Sequence, residues 1–256
     1  MKRLLLLFTF SFCVLFQSFP QNYMMRSVVD YIEDDEPPPE VSQQDEEIYL
    51  NLEDELIICI AYVEGYYSES YFCGSRWTIG YGSTYYSDGS SVRRFERIDK
   101  LTAQKCIRTH LRKRVFPYIN KYIKKDLSRQ EMIATCMFVY NIGSGNFKKS
   151  TFLKAVNNGL SPIECARRMT EFTKSAGKTA PGLLKRSWVQ AAIYCGYLSP
   201  YDFLELKPEG FYNYPVSTFC TKGKDGYYNY DFSQKKLRKF LKDNQTSKRR
   251  VIDIIT

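Results

Sequence analysis

One acidic side chain, Glu64, stands where an apolar helical pattern ends and a glycine-rich aromatic segment begins. Residues 64–82 read EGYYSESYFCGSRWTIGYG, with Cys73 and Thr78 downstream of the acid. A lone carboxylic acid followed by a strand and a turn suits a cleft in which one group protonates a leaving oxygen while the opposite wall presents a polar group to water. The pattern also fits an ordinary helix end followed by a hairpin, so the rest of the chain has to decide.

The elements around this segment follow from spacing and turn residues. Apolar residues recur at helical spacing from about Asn51 and place Glu64 in the last helical turn, with Gly65 as a stop. Strand character then extends to about Gly89. Further helices are predicted from Thr102 to about Val115, after a capping box at Ser128, from Ser150 to Gly159, from Ser161 onward and from Lys185 to Tyr197.

The cysteines and the single histidine argue against a metal site. Eight cysteines show no C-x-x-C or Cys/His ligand spacing, and His110 is the only histidine. We therefore expect no metal and no cofactor, and we interpret His110 as a surface or helix-packing residue. Cys13 lies in an apolar N-terminal segment, and its removal would leave seven cysteines. At least one thiol then stays free or pairs between chains.

Charge is divided unevenly along the chain. Residues 30–56 carry twelve Asp or Glu and no Lys or Arg, whereas residues 57–256 carry 34 Lys or Arg against 16 Asp or Glu. A body this basic is attracted to a polyanion such as a nucleic acid, an anionic membrane face or an acidic cell envelope. The charge gives the sign of the partner but not its identity.

Composition divides the chain into four parts. Residues 1–20 hold Lys2-Arg3 followed by an apolar run from 4 to 19, the pattern of a secretory signal peptide, or of a signal anchor if it is not cleaved. Residues 21–50 are an acidic, proline-containing linker. We expect a globular domain at 51–199 and a Tyr-rich, basic extension at 200–256, with short strands around Lys224-Asp225-Gly226 and then a basic segment. That segment fits either an envelope-binding tail or a solvated helix.

Four segments between roughly residues 51 and 198 form an ordered set: the Glu64-Gly65 to WTIGYG segment, TAQKCIRTHL, MFVYNIGSGNFKKSTFLKAVNNG and AGKTAPGLLKRSWVQAAIY. Together, and in this order, they resemble the phage-type lysozymes of glycoside hydrolase family 24, the muramidase endolysins. The resemblance implies an α+β fold with a small β-hairpin lobe, a larger mostly helical lobe and an active-site cleft between them. The linker and the extension lie outside the resemblance.

The resemblance also implies roles for particular residues. Glu64 matches the family's general acid, Cys73 matches the position of an Asp or Cys that assists the attacking water, and Thr78 matches the residue that orients that water. The interval between Cys73 and Thr78 is one residue shorter than in the family pattern. Tyr81 and Asn141 are candidate sugar-binding residues, although Tyr81 also fits a packing role. Asp88 and Glu69 are alternative second acids, because a thiol is mostly protonated at neutral pH.

These observations predict an exported or membrane-anchored peptidoglycan hydrolase. It would cut the β-1,4 bond between N-acetylmuramic acid and N-acetylglucosamine, act as a monomer, and use its basic surface to bind an anionic envelope, with membrane association through residues 4–19 and no specific nucleic acid. One alternative is a non-catalytic peptidoglycan-binding protein. Another is a charge-driven binder of nucleic acid or membrane that uses the same fold as a scaffold.

Overall fold

The first helix, α1 (Leu52–Glu64), starts and stops at the residues that its sequence indicates. The Asn51 side chain accepts a hydrogen bond from the backbone N–H of Asp54 at 2.9 Å, and Gly65, at φ +70°, ends the helix. The computed structural model describes residues 51–175, 177–206 and 219–245. Within it α1 is buried on nearly its whole circumference, as expected for a helix this apolar at the centre of a core.

A small β lobe follows α1. Strand β1 (Tyr67–Cys73) pairs antiparallel with β2 (Arg76–Gly80), and a register shift between Tyr67 and Tyr71 marks a bulge in β1. Single bridges, Glu69 with Arg97 among them, attach the loop that continues to residue 98. Gly80 must be a glycine here: at φ +63°, a Cβ would lie 2.8 Å from the Cβ of Ala103.

The larger lobe is helical. Its elements are α2 (Lys100–His110) with a π-helical turn (Leu111–Val115), α3 (Phe116–Tyr122), α4 (Arg129–Ile142), α5 (Ser144–Lys149), α6 (Thr151–Asn157), α7 (Pro162–Arg168) with a 3-10 turn (Met169–Phe172), and α8 (Pro181–Tyr194). A two-residue hairpin, β3 (Lys174–Ser175) and β4 (Lys178–Thr179), precedes α8. The α+β, lysozyme-like fold class predicted from the sequence is confirmed.

Local signals located some helix boundaries and missed others. The capping box at Ser128 is present, with its hydroxyl and the Glu131 carboxylate each accepting a backbone N–H. The last helix of the domain, α8, begins at Pro181 rather than Lys185 and ends at Tyr194 rather than Tyr197. Proline is favourable at the first helical position, and Gly196 at φ +74° follows the end of the helix.

Part of the C-terminal extension packs onto the helical lobe and shares its core. A 3-10 turn (Pro200–Glu205), a hairpin of β5 (Cys220–Lys222) and β6 (Tyr228–Tyr230), and helix α9 (Gln234–Asn244) lie in this region. The ring of Phe219 stacks on Trp188 at 4.2 Å between centroids, and Phe240 meets Trp188 edge-on at 5.2 Å. The short strands predicted around Lys224-Asp225-Gly226 are present.

Several predictions fall on residues outside the described ranges. These are the signal segment at 1–20, the linker at 21–50 and the end of the basic segment from 246. Within the described ranges, no helix combines the length and the hydropathy needed to cross a membrane.

Candidate active site

Glu64 lies at the junction of the two lobes. Its side chain is 12% exposed, and the last turn of α1 and the chain after β2 enclose it. A Cβ on Gly82 would lie 3.6 Å from the Glu64 Oε2 atom, so the GYG segment passes directly over the carboxylate. Gly82 is at φ +85°, a conformation that favours glycine and lets the backbone approach this closely.

Arg186, which was not among the predicted site residues, pairs with this carboxylate. The Nη2 atom of Arg186 lies 2.7 Å from Oε2 of Glu64, and the Arg186 side chain is 22% exposed. Asn141, at the end of α4, holds the other side of the guanidinium: its Oδ1 accepts a hydrogen bond from Nη1 at 3.3 Å. Asn141 thus contacts Arg186 and helps to fix the ion pair, in addition to the sugar contact predicted for it.

Burial raises the pKa of Glu64 above its ordinary value, although Arg186 opposes that shift. The desolvation of a carboxylate in a mostly apolar junction disfavours the charged form more than one nearby guanidinium favours it. A carboxyl group adjusted in this way holds a proton at a higher pH than an exposed glutamate does. This is the property that a general acid needs.

Thr78 and Cys73 lie on the two strands of the hairpin. Thr78 is buried in β2 opposite Tyr71, while Cys73 ends β1 opposite Arg76. Only two residues connect the paired residues Cys73 and Arg76, so the short interval to Thr78 is contained in a tight hairpin turn. Together with the bulge in β1, this turn sets which faces of the strands the two side chains occupy.

Cys73 is exposed and has a free thiol. Its side chain is therefore not part of the packed core, and no disulfide blocks its sulfur in the structure. The other described cysteines are also free, and all of them are buried or half-buried. Cys73 is thus the one exposed cysteine among the described residues.

Tyr71 is a neighbour of the site that the sequence did not single out. Burial is the largest cause that raises the pKa of its phenol, and Cys73, Tyr67 and Glu64 add to the effect. Its electrostatic neighbours therefore include both the proposed acid and the residue at the assisting position. The bulge between Tyr67 and Tyr71 places this ring, and no sequence signal marked it beforehand.

Tyr81 is a packing residue and offers little surface to a sugar. It is 4% exposed, its ring lies 5.4 Å from that of Tyr66, and burial raises the pKa of its phenol to about 12. Its carbonyl oxygen accepts a hydrogen bond from the hydroxyl of Tyr140 at 3.2 Å, which ties the β lobe to α4. Because sugar stacking needs an open aromatic face, we drop Tyr81 from the proposed substrate-binding residues.

The alternative acids have local partners of their own. The Asp88 carboxylate accepts hydrogen bonds from the backbone and the hydroxyl of Ser90, which lowers its pKa. Glu69 is exposed and pairs with Arg97. These contacts give both carboxylates structural roles in the β lobe, so neither is retained as a second catalytic acid.

A cavity of about 420 Å³ opens beside Gly82, between the β lobe and the helices. Its walls include Arg76, Ser83, His110, Arg114 and Tyr140, with no acidic residue in the lining. His110 packs edge-on against Tyr140 at 4.9 Å between ring centroids, in agreement with the helix-packing role predicted for it. Glu64 does not line this basic cavity, and Gly82, which does, is the residue that lies next to the Glu64 carboxylate.

A small β hairpin and a helical lobe, with the partly buried Glu64 at their junction, define a lysozyme-like protein. The family model for phage lysozyme matches residues 61–189, which is half of the chain. The chain therefore belongs to the phage lysozyme family, and the predicted resemblance is confirmed.

Individual relatives agree with this assignment. The solved endolysin from Escherichia coli O157:H7 phage FAHEc1 superposes with a TM-score of 0.53 at 29% identity, covering 60% of this chain and 98% of that one. The endolysin of Bacillus phage B103 is 31% identical over 118 residues, 46% of this chain and 43% of that protein. The SAR-endolysin of Bacteriophage PS119 is 39% identical over 75 residues, 29% of this chain and 44% of that protein. The chain thus spans less than half the length of these two curated relatives.

Proposed function

We propose that this protein is a muramidase that hydrolyses the β-1,4 bond between N-acetylmuramic acid and N-acetylglucosamine in peptidoglycan. The observation that carries the proposal is the Glu64 carboxyl group, buried at the cleft between the lobes with a raised pKa and held by Arg186. Family membership supports the reaction class, and the names of the relatives, endolysin and SAR-endolysin, support a role in host-cell lysis or cell-wall degradation.

In the proposed reaction, the protonated Glu64 donates its proton to the glycosidic oxygen as the bond between that oxygen and the anomeric carbon breaks. A water molecule attacks the anomeric carbon, oriented by the hydroxyl of Thr78 with assistance from Cys73, and its proton is released. The leaving sugar departs with a new hydroxyl group, and Glu64 regains a proton from solvent. No oxidant, metal or cofactor enters this balance.

Arg186 has two opposing effects in this scheme. Its charge lowers the pKa of Glu64 relative to burial alone, which disfavours the acid form. It also fixes the carboxylate in one orientation and stabilises it after the proton has left. We infer that burial and the guanidinium together set a pKa at which Glu64 can both donate and regain a proton.

Location and partners follow from charge and from the relatives. The excess of Lys and Arg after residue 56 would hold the protein on an anionic envelope, and binding should therefore weaken as salt rises. A relative named SAR-endolysin supports export, with residues 1–20 as a signal peptide or as an anchor. We propose that the protein acts as a monomer.

The decisive experiment measures reducing ends released from purified peptidoglycan by the wild type and by Glu64→Gln. The substitution keeps the shape of the side chain but removes the transferable proton, so release should fall by at least about a hundredfold. Glu69→Gln in β1 is the matched control, since its carboxylate only pairs with Arg97, and it should keep near-normal activity. Equal release by the wild type and Glu64→Gln would refute the proposal.

A non-catalytic peptidoglycan-binding protein is the second candidate. The observation that favours it is Cys73, an exposed thiol at a position where a carboxylate would carry a fixed charge. This candidate predicts that wild type and Glu64→Gln bind insoluble peptidoglycan equally and that neither releases reducing ends. The same assay therefore separates the two functions.

A further inference from the structure

The outer face of the β lobe carries exposed aromatic rings in contact with an arginine. Phe95 is 82% exposed and Phe72 is 61% exposed, both unusually open for phenylalanine. Phe72 meets the half-buried Trp77 edge-on at 5.4 Å between centroids. The guanidinium carbon of Arg94 lies 5.9 Å from the Trp77 ring centroid and 4.3 Å from that of Phe95. We call these four residues the aromatic–arginine patch.

The backbone holds Phe95 in an unfavourable conformation. Phe95 is the one described non-glycine residue with positive φ, at +67°, where a bulky side chain is strained. Glu96 fixes the loop on both sides: its carboxylate accepts from the Arg93 N–H at 2.8 Å, and its own N–H donates to the Ser70 hydroxyl at 3.2 Å. The loop therefore presents an exposed aromatic ring in a preorganised position, although the ring contributes nothing to the core.

Arginines outnumber carboxylates in the loop that carries the patch, where Arg93, Arg94 and Arg97 lie beside one carboxylate, Glu96. Among the described residues, no carboxylate lies within ion-pair distance of Arg93 or Arg94. The nearby Arg97 is paired with Glu69. Exposed aromatic rings surrounded by unpaired guanidinium groups complement a surface that is apolar below and anionic above.

The shape of the patch argues against a small ligand. Phe72, Trp77, Arg94 and Phe95 do not line the cavity beside Gly82, and three of them are exposed, as on an open face. The apolar run at residues 4–19, predicted to be a signal or an anchor, would also bring this chain to a membrane. An anionic bilayer is thus an extended surface next to which this chain would be placed.

We propose that the aromatic–arginine patch docks the β lobe onto an anionic lipid bilayer. Phe95 and Phe72 enter the interfacial layer, and Arg93 and Arg94 contact lipid phosphates. This contact is separate from the cleft chemistry, because none of these side chains touches Glu64. It orients the body on a membrane independently of residues 4–19.

The test uses the fluorescence of the full-length protein. The chain has two tryptophans, and Trp188 is 1% exposed in the core, so a change in emission on adding vesicles reports on Trp77 in the patch. Vesicles of phosphatidylcholine with phosphatidylglycerol should shift the emission to shorter wavelength, and pure phosphatidylcholine vesicles should not. This readout is local to the patch, so membrane binding through residues 4–19 does not produce it.

Variants decide whether the patch is responsible. Phe95→Asn should raise the lipid concentration that gives half of the emission shift by at least about tenfold, because it removes the ring. Asparagine tolerates positive φ, so the backbone of the loop should be kept. Arg94→Gln should weaken the shift and reduce its salt dependence, whereas Lys149→Gln, the same charge change on exposed α5, should leave it intact. Three results would each overturn the proposal. The emission shift could be unchanged in Phe95→Asn, or Arg94→Gln and Lys149→Gln could lose it equally. The shift could also occur with peptidoglycan fragments but not with vesicles. Unfolding midpoints no lower than wild type would show that Phe95→Asn remains folded.

Discussion

Arg186 Nη2 lies 2.7 Å from Glu64 Oε2, which joins the end of the first described helix to the last helix of the matched family region. This ion pair closes the inner wall of the cleft. Its two members come from distant parts of the sequence, and Asn141 on a third helix supports the guanidinium. The site is therefore assembled from α1, α4 and α8 together with the β lobe.

Replacing Arg186 with glutamine should change the pH dependence of hydrolysis. Arg186 lowers the pKa of Glu64, so its loss should raise that pKa further and move the basic limb of the activity profile to higher pH. The rate at the optimum should fall by about tenfold to a hundredfold, because the acid loses its fixed orientation. Rates of reducing-end release across pH measure both effects.

Arg238→Gln is the matched control for this experiment, since it removes an exposed arginine from α9, away from the cleft. It should leave the pH profile in place. If Arg186→Gln lowers the rate but leaves the basic limb of the pH–activity profile in place, the ion pair only supports the fold.

Substitutions of Cys73 test its proposed role with the attacking water. Cys73→Asp supplies a fixed carboxylate on an exposed side chain and should keep or increase the rate at neutral pH. Cys73→Ala should reduce kcat by about tenfold or more while the unfolding midpoint stays within a few degrees of wild type. If Cys73→Ala keeps full activity, Cys73 does not assist the attacking water, and Thr78 alone orients it.

Glu55, also on α1, should make stability depend on pH. Burial raises its pKa to about 7 against the opposing effect of Arg129, whose Nε lies 2.8 Å from Oε2. The folded state then binds more protons than the unfolded state between about pH 4.5 and pH 7. The stabilising contribution is complete below about 4.5 and is lost as pH rises through 7, with an upper limit of roughly 3 kcal/mol.

Urea denaturation at several pH values measures this effect. Glu55→Gln should flatten the decrease in the free energy of unfolding over that range, and Glu69→Gln, at an exposed ion pair, should leave it unchanged. An identical slope in the wild type and Glu55→Gln would show that another group causes the pH dependence.

The packing of the C-terminal extension can be tested at Phe240. Its side chain is fully buried against Trp188 and Phe219, so Phe240→Ala should lower the free energy of unfolding by about 3–5 kcal/mol. Lys235→Ala on the exposed side of α9 should change it by less than about 0.5 kcal/mol. A small effect at Phe240 in chemical denaturation would indicate an extension that folds apart from the domain.

The basic C-terminal segment was interpreted as either an envelope-binding tail or a solvated helix. In its described part this segment forms helix α9. Leu237 and Phe240 face the core, so the apolar side of this helix is already covered by protein. Its lysines and arginine remain outside, as in a solvated basic helix. Any attraction to an anionic envelope through α9 is therefore electrostatic rather than insertion of an apolar face.

Local chemistry in the sequence determined much of this protein. Helical spacing with Asn51 and Gly65 at its ends fixed α1 and put Glu64 in its last turn, and the capping box fixed the start of α4. These signals work because caps and periodicity act over three or four residues. The ordered motifs were sufficient to indicate the family.

Only the tertiary structure decided what surrounds Glu64. The partner Arg186, the neighbour Tyr71 and the burial of Tyr81 depend on how α8, the bulge in β1 and α4 pack together. The raised pKa of Glu64 results from that packing, because desolvation depends on the neighbours that the fold brings close and not on the adjacent residues in the chain. The sequence thus specified the acid and its helix, and the packing of distant segments gave that acid its environment.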